Sequence, residues 1–194
     1  MKSSNKKLLI GSLILLTIGG GYFLYKKKFM KEISDKGIKF LIDAEGFVNK
    51  AYQDVKGLWT IGVGHLIDTV KEKHLLSAVL TKKQVEDLFD KDLDRFEKCV
   101  TDTIKVPLPA YKKDALINLA FNIGEGAFKK STLAKLINAK ATDAEIAKAF
   151  AAWNKPAQIR GRRAKEIRLF FKGNYSPVIS KAEIETYMSG VIPK

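Results

Sequence analysis

Glu45 and Asp54 stand nine positions apart in the stretch AEGFVNKAYQDVKGLWTIGVGHL, residues 44–66, and Thr60 follows six positions later. Cleavage of a glycosidic bond needs two unlike carboxyl groups. One gives a proton to the leaving oxygen, and the other, ionised, acts on water or on the cationic sugar centre. Their surroundings must push their acidities apart. Glu45 suits the acid, because a helix is expected to end on it and the dipole there disfavours negative charge. Asp54 suits the ionised partner, because it falls in a polar turn that water can reach. Thr60, across the expected hairpin, has a hydroxyl able to orient a water beside Asp54. Two acids alone specify little, since exposed acids are common.

The elements that would position these groups follow from local pattern. Ser34 can cap a helix whose Gly37, Phe40, Leu41 and Ala44 recur at helical spacing, and Gly46 is placed to end it. AYQD and LWTIGVG flank VKG, the pattern of a β-hairpin. Beyond Leu80 nearly everything reads helical: Thr81 caps a long segment, Pro107 and Pro109 precede AYKKDALINLAFNIG, and GRRAKEIRLFFKG follows Pro156. The last stretch, SKAEIETYMSGVIPK, has a weaker helical pattern. The expected fold class is α+β: a small β-hairpin lobe, a larger helical lobe and a ligand cleft between them, preceded by an N-terminal hydrophobic helix.

Other residues bound the chemistry. The single cysteine, Cys99, excludes an internal disulfide and reads as a half-buried small hydrophobe. Two histidines, His65 and His74, cannot build a zinc site by themselves, so no metal is expected; His65 reads as structural. Gly62 and Gly64 are expected to permit close packing or a strand bend. Trp59 is expected to pack between the lobes, and Phe150 and Trp153 to lie in the core. Arg160, Arg162 and Arg163 are expected to pair with Glu166 or an earlier acid. The formal charge is +14, and residues 1–31 hold seven lysines and no acid. Such a balance suits a polyanionic partner. The body lysines are scattered and carry no nucleic-acid motif, which favours a surface partner over nucleic acid.

Residues 8–25, LLIGSLILLTIGGGYFLY, are free of charge and just long enough to cross a bilayer as a helix. Gly11, Ser12, Thr17 and Gly19 to Gly21 dilute the apolar residues, so insertion is expected to be marginal and reversible. Lysines flank both ends, and the positive-inside rule gives no orientation. The expected organisation is a membrane segment over 1–31 and a folded domain over 32–194.

Glu45-Gly46, AYQD and WTIGVGH together resemble the catalytic segment of the T4-type phage lysozymes, glycoside hydrolase family 24, with Glu45, Asp54 and Thr60 at that family's spacing. NLAFNIGEGAFKKSTLAKLIN resembles the family's central helix and the turn after it. Trp153 and GRRAKEIRLF resemble its closing helices, so the resemblance covers about residues 33–175. The tail resembles the signal-anchor-release segment of some phage endolysins. The resemblance implies a lysozyme-like fold and a muramidase cutting the β-1,4 bond between N-acetylmuramic acid and N-acetylglucosamine, without metal or cofactor. Glu45 would be the general acid, and Asp54 with Thr60 would hold the attacking water, with inversion. Asn118 and Asn122 match amide positions lining the family's cleft. Peptidoglycan is the implied partner, and the inner membrane would hold residues 8–25 until a monomer is released to the periplasm. Some anchored relatives are restrained by a cysteine in the membrane segment, and this tail has none. A lytic transglycosylase would use one glutamate and make Asp54 and Thr60 superfluous. A membrane-anchored wall-binding protein would need neither acid.

Overall fold

The computed structural model describes residues 13–18, 21–26, 32–54 and 57–193. The predicted helix over 8–25 is not what its described parts form. Leu13–Ile18 (β1) and Gly21–Lys26 (β2) pair antiparallel, with Leu13 opposite Lys26 and Ile18 opposite Gly21. Residues 8–12, 19 and 20 lie outside the described residues. The physical reason is compositional. Ile, Thr, Tyr and Phe favour extended backbone, and glycine penalises helix. Only lipid would demand that every backbone group be paired within the segment itself. Among the described residues, no helix is long and apolar enough to cross a membrane.

The body opens as its sequence dictates. Ser34 caps α1, Asp35–Glu45, by accepting from the Gly37 amide at 3.0 Å. Gly46, at φ 79°, ends it and donates to the Ile42 carbonyl at 2.8 Å. Ile38, Leu41 and Ile42 are its fully buried face. The start of α1 is clamped by two buried carboxylates. Glu97 accepts the Ile33 amide at 2.7 Å. Asp114 accepts the Ser34 amide at 2.9 Å, the Ser34 hydroxyl, and the Tyr175 hydroxyl at 2.5 Å.

Next come β3, Val48–Gln53, β4, Trp59–Gly62, and β5, His65–Leu66, a three-stranded antiparallel sheet in sequence order. Tyr52 faces Thr60 and Gln53 faces Trp59 across β3 and β4, while Thr60 faces Leu66 across β4 and β5. Ile61, Val63 and Ile67 form the buried side of this lobe.

The long helix α2, Lys82–Thr103, begins with the Thr81–Gln84 capping box. Its early turns pack on β4 and β5 and its later turns on α3, Ala110–Ile123. It is therefore the strut shared by both lobes. Helix α3 is buried over Asp114–Phe121 without interruption, the signature of a central helix wrapped by others. Around it lie α4, Glu125–Lys130, α5, Thr132–Asn138, α6, Asp143–Ala151, α7, Arg160–Lys172, and α8, Lys181–Met188. Phe128, Phe150, Ile167 and Phe170 fill the helical core with Leu116 and Leu119 of α3. The weak pattern at the C-terminus still yields α8, which Ser180 caps with Glu183.

Candidate active site

Glu45 is the last residue of α1, so its side chain leaves the helix where the sheet begins. Its Oε1 lies 2.5 Å from Nη1 of Arg162, in the first turn of α7. Arg162 also bonds Glu166 Oε1 through Nε at 2.9 Å and the Asn118 carbonyl through Nη2 at 3.3 Å. Burial works against the Arg162 charge, but Glu45 and Glu166 outweigh it and raise its pKa above the ordinary arginine value. Arg163 completes the cluster: its guanidinium bonds Glu166, donates to the Trp153 carbonyl at 2.7 Å, and reaches Asn122 Oδ1 at 2.7 Å. The arginines thus pair with Glu166 and an earlier acid, as their sequence suggests, and the earlier acid is Glu45. Arg160 instead bonds Glu185 at 2.7 Å.

The other Glu45 oxygen, Oε2, lies against Gly64. A Cβ on Gly64 would stand 2.7 Å from it and 3.1 Å from Phe121. Gly64 also has φ +68°, so the sheet passes the carboxylate at a distance and in a conformation that only glycine suits. Glu45 is therefore gripped between an arginine and a bare backbone, with its side chain 17% exposed.

Asp54 sits in the β3–β4 turn. Its Oδ1 accepts the Leu58 amide at 2.9 Å, and its backbone amide donates to the Leu58 carbonyl at 2.9 Å. Strand alternation puts Tyr52 and Asp54 on one face of the sheet, with Leu58 and Thr60 opposite them on that same face. Thr60 is buried, and its hydroxyl donates to the Leu58 carbonyl at 3.3 Å. Tyr52 links the two acids. Burial first, then the charges of Glu45 and Asp54, raise its phenol above the usual tyrosine range. Both carboxylates therefore act on one ring. Sequence reasoning missed Tyr52, although its position two residues before Asp54 in a strand was the available signal.

The two asparagines part company. Asn118 is fully buried; its Nδ2 donates to the Asp114 carbonyl at 2.9 Å, and its Oδ1 finds no partner. It stands behind Arg162 rather than on open surface, because α3 is enclosed on every side. Asn122 is half-buried, and with its oxygen on Arg163 it has its amide hydrogens to offer a ligand. Trp59 is 36% exposed, so it does not pack between the lobes as expected; it shares the sheet face opposite Thr60, at the rim. Phe150 is core, and Trp153 is half-buried against it.

His65 is structural. Its Nδ1 lies 2.6 Å from Asp92 and its Nε2 3.0 Å from Glu72. Burial pushes its pKa down, but the bonds and charges of Asp92 and Glu72 outweigh burial and raise it. Cys99 is buried, its Sγ 3.9 Å from the Glu125 carbonyl, and burial pushes the thiol up.

Comparison with known proteins places this geometry in context. The phage lysozyme family model matches residues 42–166. The endolysin of Salmonella phage P22 is 37% identical over 145 residues, covering 73% of this chain and 99% of that protein. The SAR-endolysin of Escherichia phage Mu is 30% identical over 169 residues, covering 85% of this chain and 91% of that protein. Among solved structures, the endolysin of Escherichia coli phage FAHEc1 superposes with TM-score 0.64 at 29% identity, over 77% of this chain and 98% of that one. A P22 lysozyme variant superposes with TM-score 0.59 at 35% identity, over 74% of this chain and 100% of that one.

Proposed function

The chain belongs to the phage lysozyme family and is a glycoside hydrolase of the muramidase kind; from that premise we propose that it is an endolysin in which Glu45, Asp54 and Thr60 cut the β-1,4 bond between N-acetylmuramic acid and N-acetylglucosamine. The observation that carries this reading is a pair of carboxylates fixed on two elements, Glu45 by Arg162 at the end of α1 and Asp54 by the Leu58 amide in the β3–β4 turn.

Glu45 in its protonated form gives its proton to the leaving oxygen, and the carboxylate that results is held by Arg162. That pairing balances the cluster, because Arg162 and Arg163 otherwise share the single Glu166 carboxylate. Asp54, held by the Leu58 amide at 2.9 Å, stays oriented toward the face it shares with Thr60. Water held by these two attacks the sugar carbon from the side opposite the leaving group, which inverts the configuration. Asn122 offers its amide hydrogens to the sugar substituents. The chain's own groups supply this chemistry without a cofactor.

Residues 1–31 are the signal-anchor-release segment, and 32–194 the catalytic domain. The naming of the phage Mu relative as a SAR-endolysin supports this division. Its described parts, β1 and β2, pair antiparallel. In a bilayer the same residues form a helix, since a two-stranded hairpin leaves both edges unpaired in hydrocarbon. The protein is tethered to the inner membrane, facing the periplasm, and then leaves it as a monomer to act on peptidoglycan.

The test is digestion of purified peptidoglycan, with the new chain ends identified by mass spectrometry, for the full chain and for Glu45→Gln and Asp54→Asn. Hydrated, reducing muramic acid ends that vanish in both variants are expected. Anhydro ends would make the chain a lytic transglycosylase instead.

A further inference from the structure

The corner where the chain joins the helical lobe carries an apolar groove. Val100, Ile104, Val106 and Leu108 line a cavity of about 320 Å³ between the end of α2 and the start of α3, with Lys105 and Lys113 at its edge. Val100 is its buried floor, and the other three apolar residues are half-buried. The charged groups around it are known. Lys113 bonds Glu32 at 2.7 Å and Lys98 bonds Asp102 at 2.7 Å. Lys105 is exposed, and the Lys112 ammonium lies 4.7 Å from the centre of the Phe170 ring. Lys105 has no ion-pair partner among the described residues, whereas Lys112, outside the groove lining, is held over the Phe170 and Phe171 rings. An apolar floor with a spare cation, Lys105, at its margin matches the boundary between acyl chains and anionic headgroups.

Chain connectivity brings a membrane to this corner. The Ile33 amide bonds Glu97, one turn before Val100, and Glu32 bonds the groove residue Lys113. The uncharged run ends at Tyr25, so only residues 26–32 separate it from the groove. Seven residues span at most about 24 Å. Four of them are lysines: Lys26, Lys27, Lys28 and Lys31. Helix α1 then carries the chain about 16 Å away from this corner to Glu45.

We propose that the groove between α2 and α3 is a docking surface for anionic phospholipid headgroups, which holds the tethered body in one orientation while residues 8–25 are in the bilayer. The proposal rests on the anchor described under the proposed function. Ile104, Val106 and Leu108 settle at the interface, and Lys105 meets lipid phosphates. The length of α1 then separates the docked corner from Glu45.

The test places an environment-sensitive fluorophore in the full chain, in a Cys99→Ala background, at Thr101→Cys, an exposed position on the groove wall. A second label at Lys140→Cys, exposed on the α5–α6 turn, is the reference. The protein is added to vesicles of phosphatidylcholine alone or mixed with phosphatidylglycerol, and binding is followed in parallel by sedimentation. The expected result is sedimentation with both lipids, a blue shift at position 101 only with phosphatidylglycerol, and none at 140. Lys105→Glu, which reverses one charge, should lower the docked fraction relative to the undocked roughly thirty-fold at low salt. Sedimentation without a shift at 101 would overturn the docking surface and leave the anchor standing. Failure to sediment would overturn both. An equal shift with both lipids would overturn recognition of anionic headgroups. A shifted emission before lipid is added would put the chain's own residues 8–25 in the groove, and would also overturn the proposal.

Discussion

Gly64→Ala is the sharpest perturbation of the site, because the structure supplies its own control. The new methyl would stand 2.7 Å from Glu45 Oε2 and 3.0 Å from Cδ. Ordinary contact begins near 3.4 Å, so the carboxylate must retreat by about 0.7 Å. The same carboxylate is 2.5 Å from Arg162 through Oε1, so the ion pair must rearrange too. Gly62 shares the backbone conformation, φ +70° against +68°, yet its methyl would meet just Val85 at 3.5 Å and Leu88 at 3.8 Å, both ordinary contacts. Gly62→Ala therefore isolates the conformational cost, about 1–2 kcal/mol for an L-residue held left-handed. Gly62→Ala should lose about that much stability in urea unfolding, and Gly64→Ala more, because its methyl also crowds Glu45 and Phe121. Only Gly64→Ala should also lose activity. A displacement approaching 1 Å at a reacting group costs up to about a hundredfold. The assay is the initial rate of peptidoglycan clearing at matched folded concentration. Equal activity in the two variants would refute the claim that Gly64 is glycine to make room for Glu45.

Three further outcomes follow from named contacts. Tyr175→Phe removes the 2.5 Å bond to the buried Asp114 carboxylate and should cost about 2 kcal/mol in urea unfolding, with the clearing rate unchanged at temperatures where the variant is folded. His65 has a raised folded pKa, so its stabilising contribution is fully present below the unfolded value near 6.5 and fades as pH rises through the folded value. Stability measured from pH 6 to 9 should decline on this account, and His65→Asn should flatten that decline. Glu72 is lowered on balance, with burial opposed by the Asp68 amide and by His65, so its contribution should fade on the acid side instead. Circular dichroism of the full chain should gain helix when phosphatidylglycerol vesicles are added; an unchanged spectrum with bound protein would refute a helical anchor.

Much of this molecule is written locally. Ser34, Thr81 and Ser180 cap helices because a side-chain oxygen reaches an amide two or three residues ahead, whatever lies elsewhere. Gly46 stops α1 for the same local reason, and that puts Glu45 at the helix end. Alternation along β3 and β4 likewise sets which residues share a sheet face with Asp54. The spacing of Glu45, Asp54 and Thr60 was therefore legible in the sequence, together with the α+β class and the phage lysozyme family.

Packing decided the rest. Asn118 and Asn122 lie one turn apart on α3, yet one is sealed in the core and the other meets Arg163, because the packing that encloses α3 over Asp114–Phe121 stops at Asn122. No local pattern distinguishes them. The Arg162 grip on Glu45 joins residues 117 positions apart in sequence, and the Asp114–Tyr175 bond joins residues 61 apart. Trp59 is exposed because alternation along β4 puts it on the face opposite the buried Thr60. The N-terminal segment shows the limit most clearly. Residues 8–25 are uncharged and long enough to cross a bilayer, yet their described parts pair as β1 and β2, an outcome that composition alone leaves open. Sequence thus determines which groups each short segment can offer. Tertiary structure determines which are buried, which are paired and which stay open, since burial and long-range pairing depend on elements that meet only after the chain has folded.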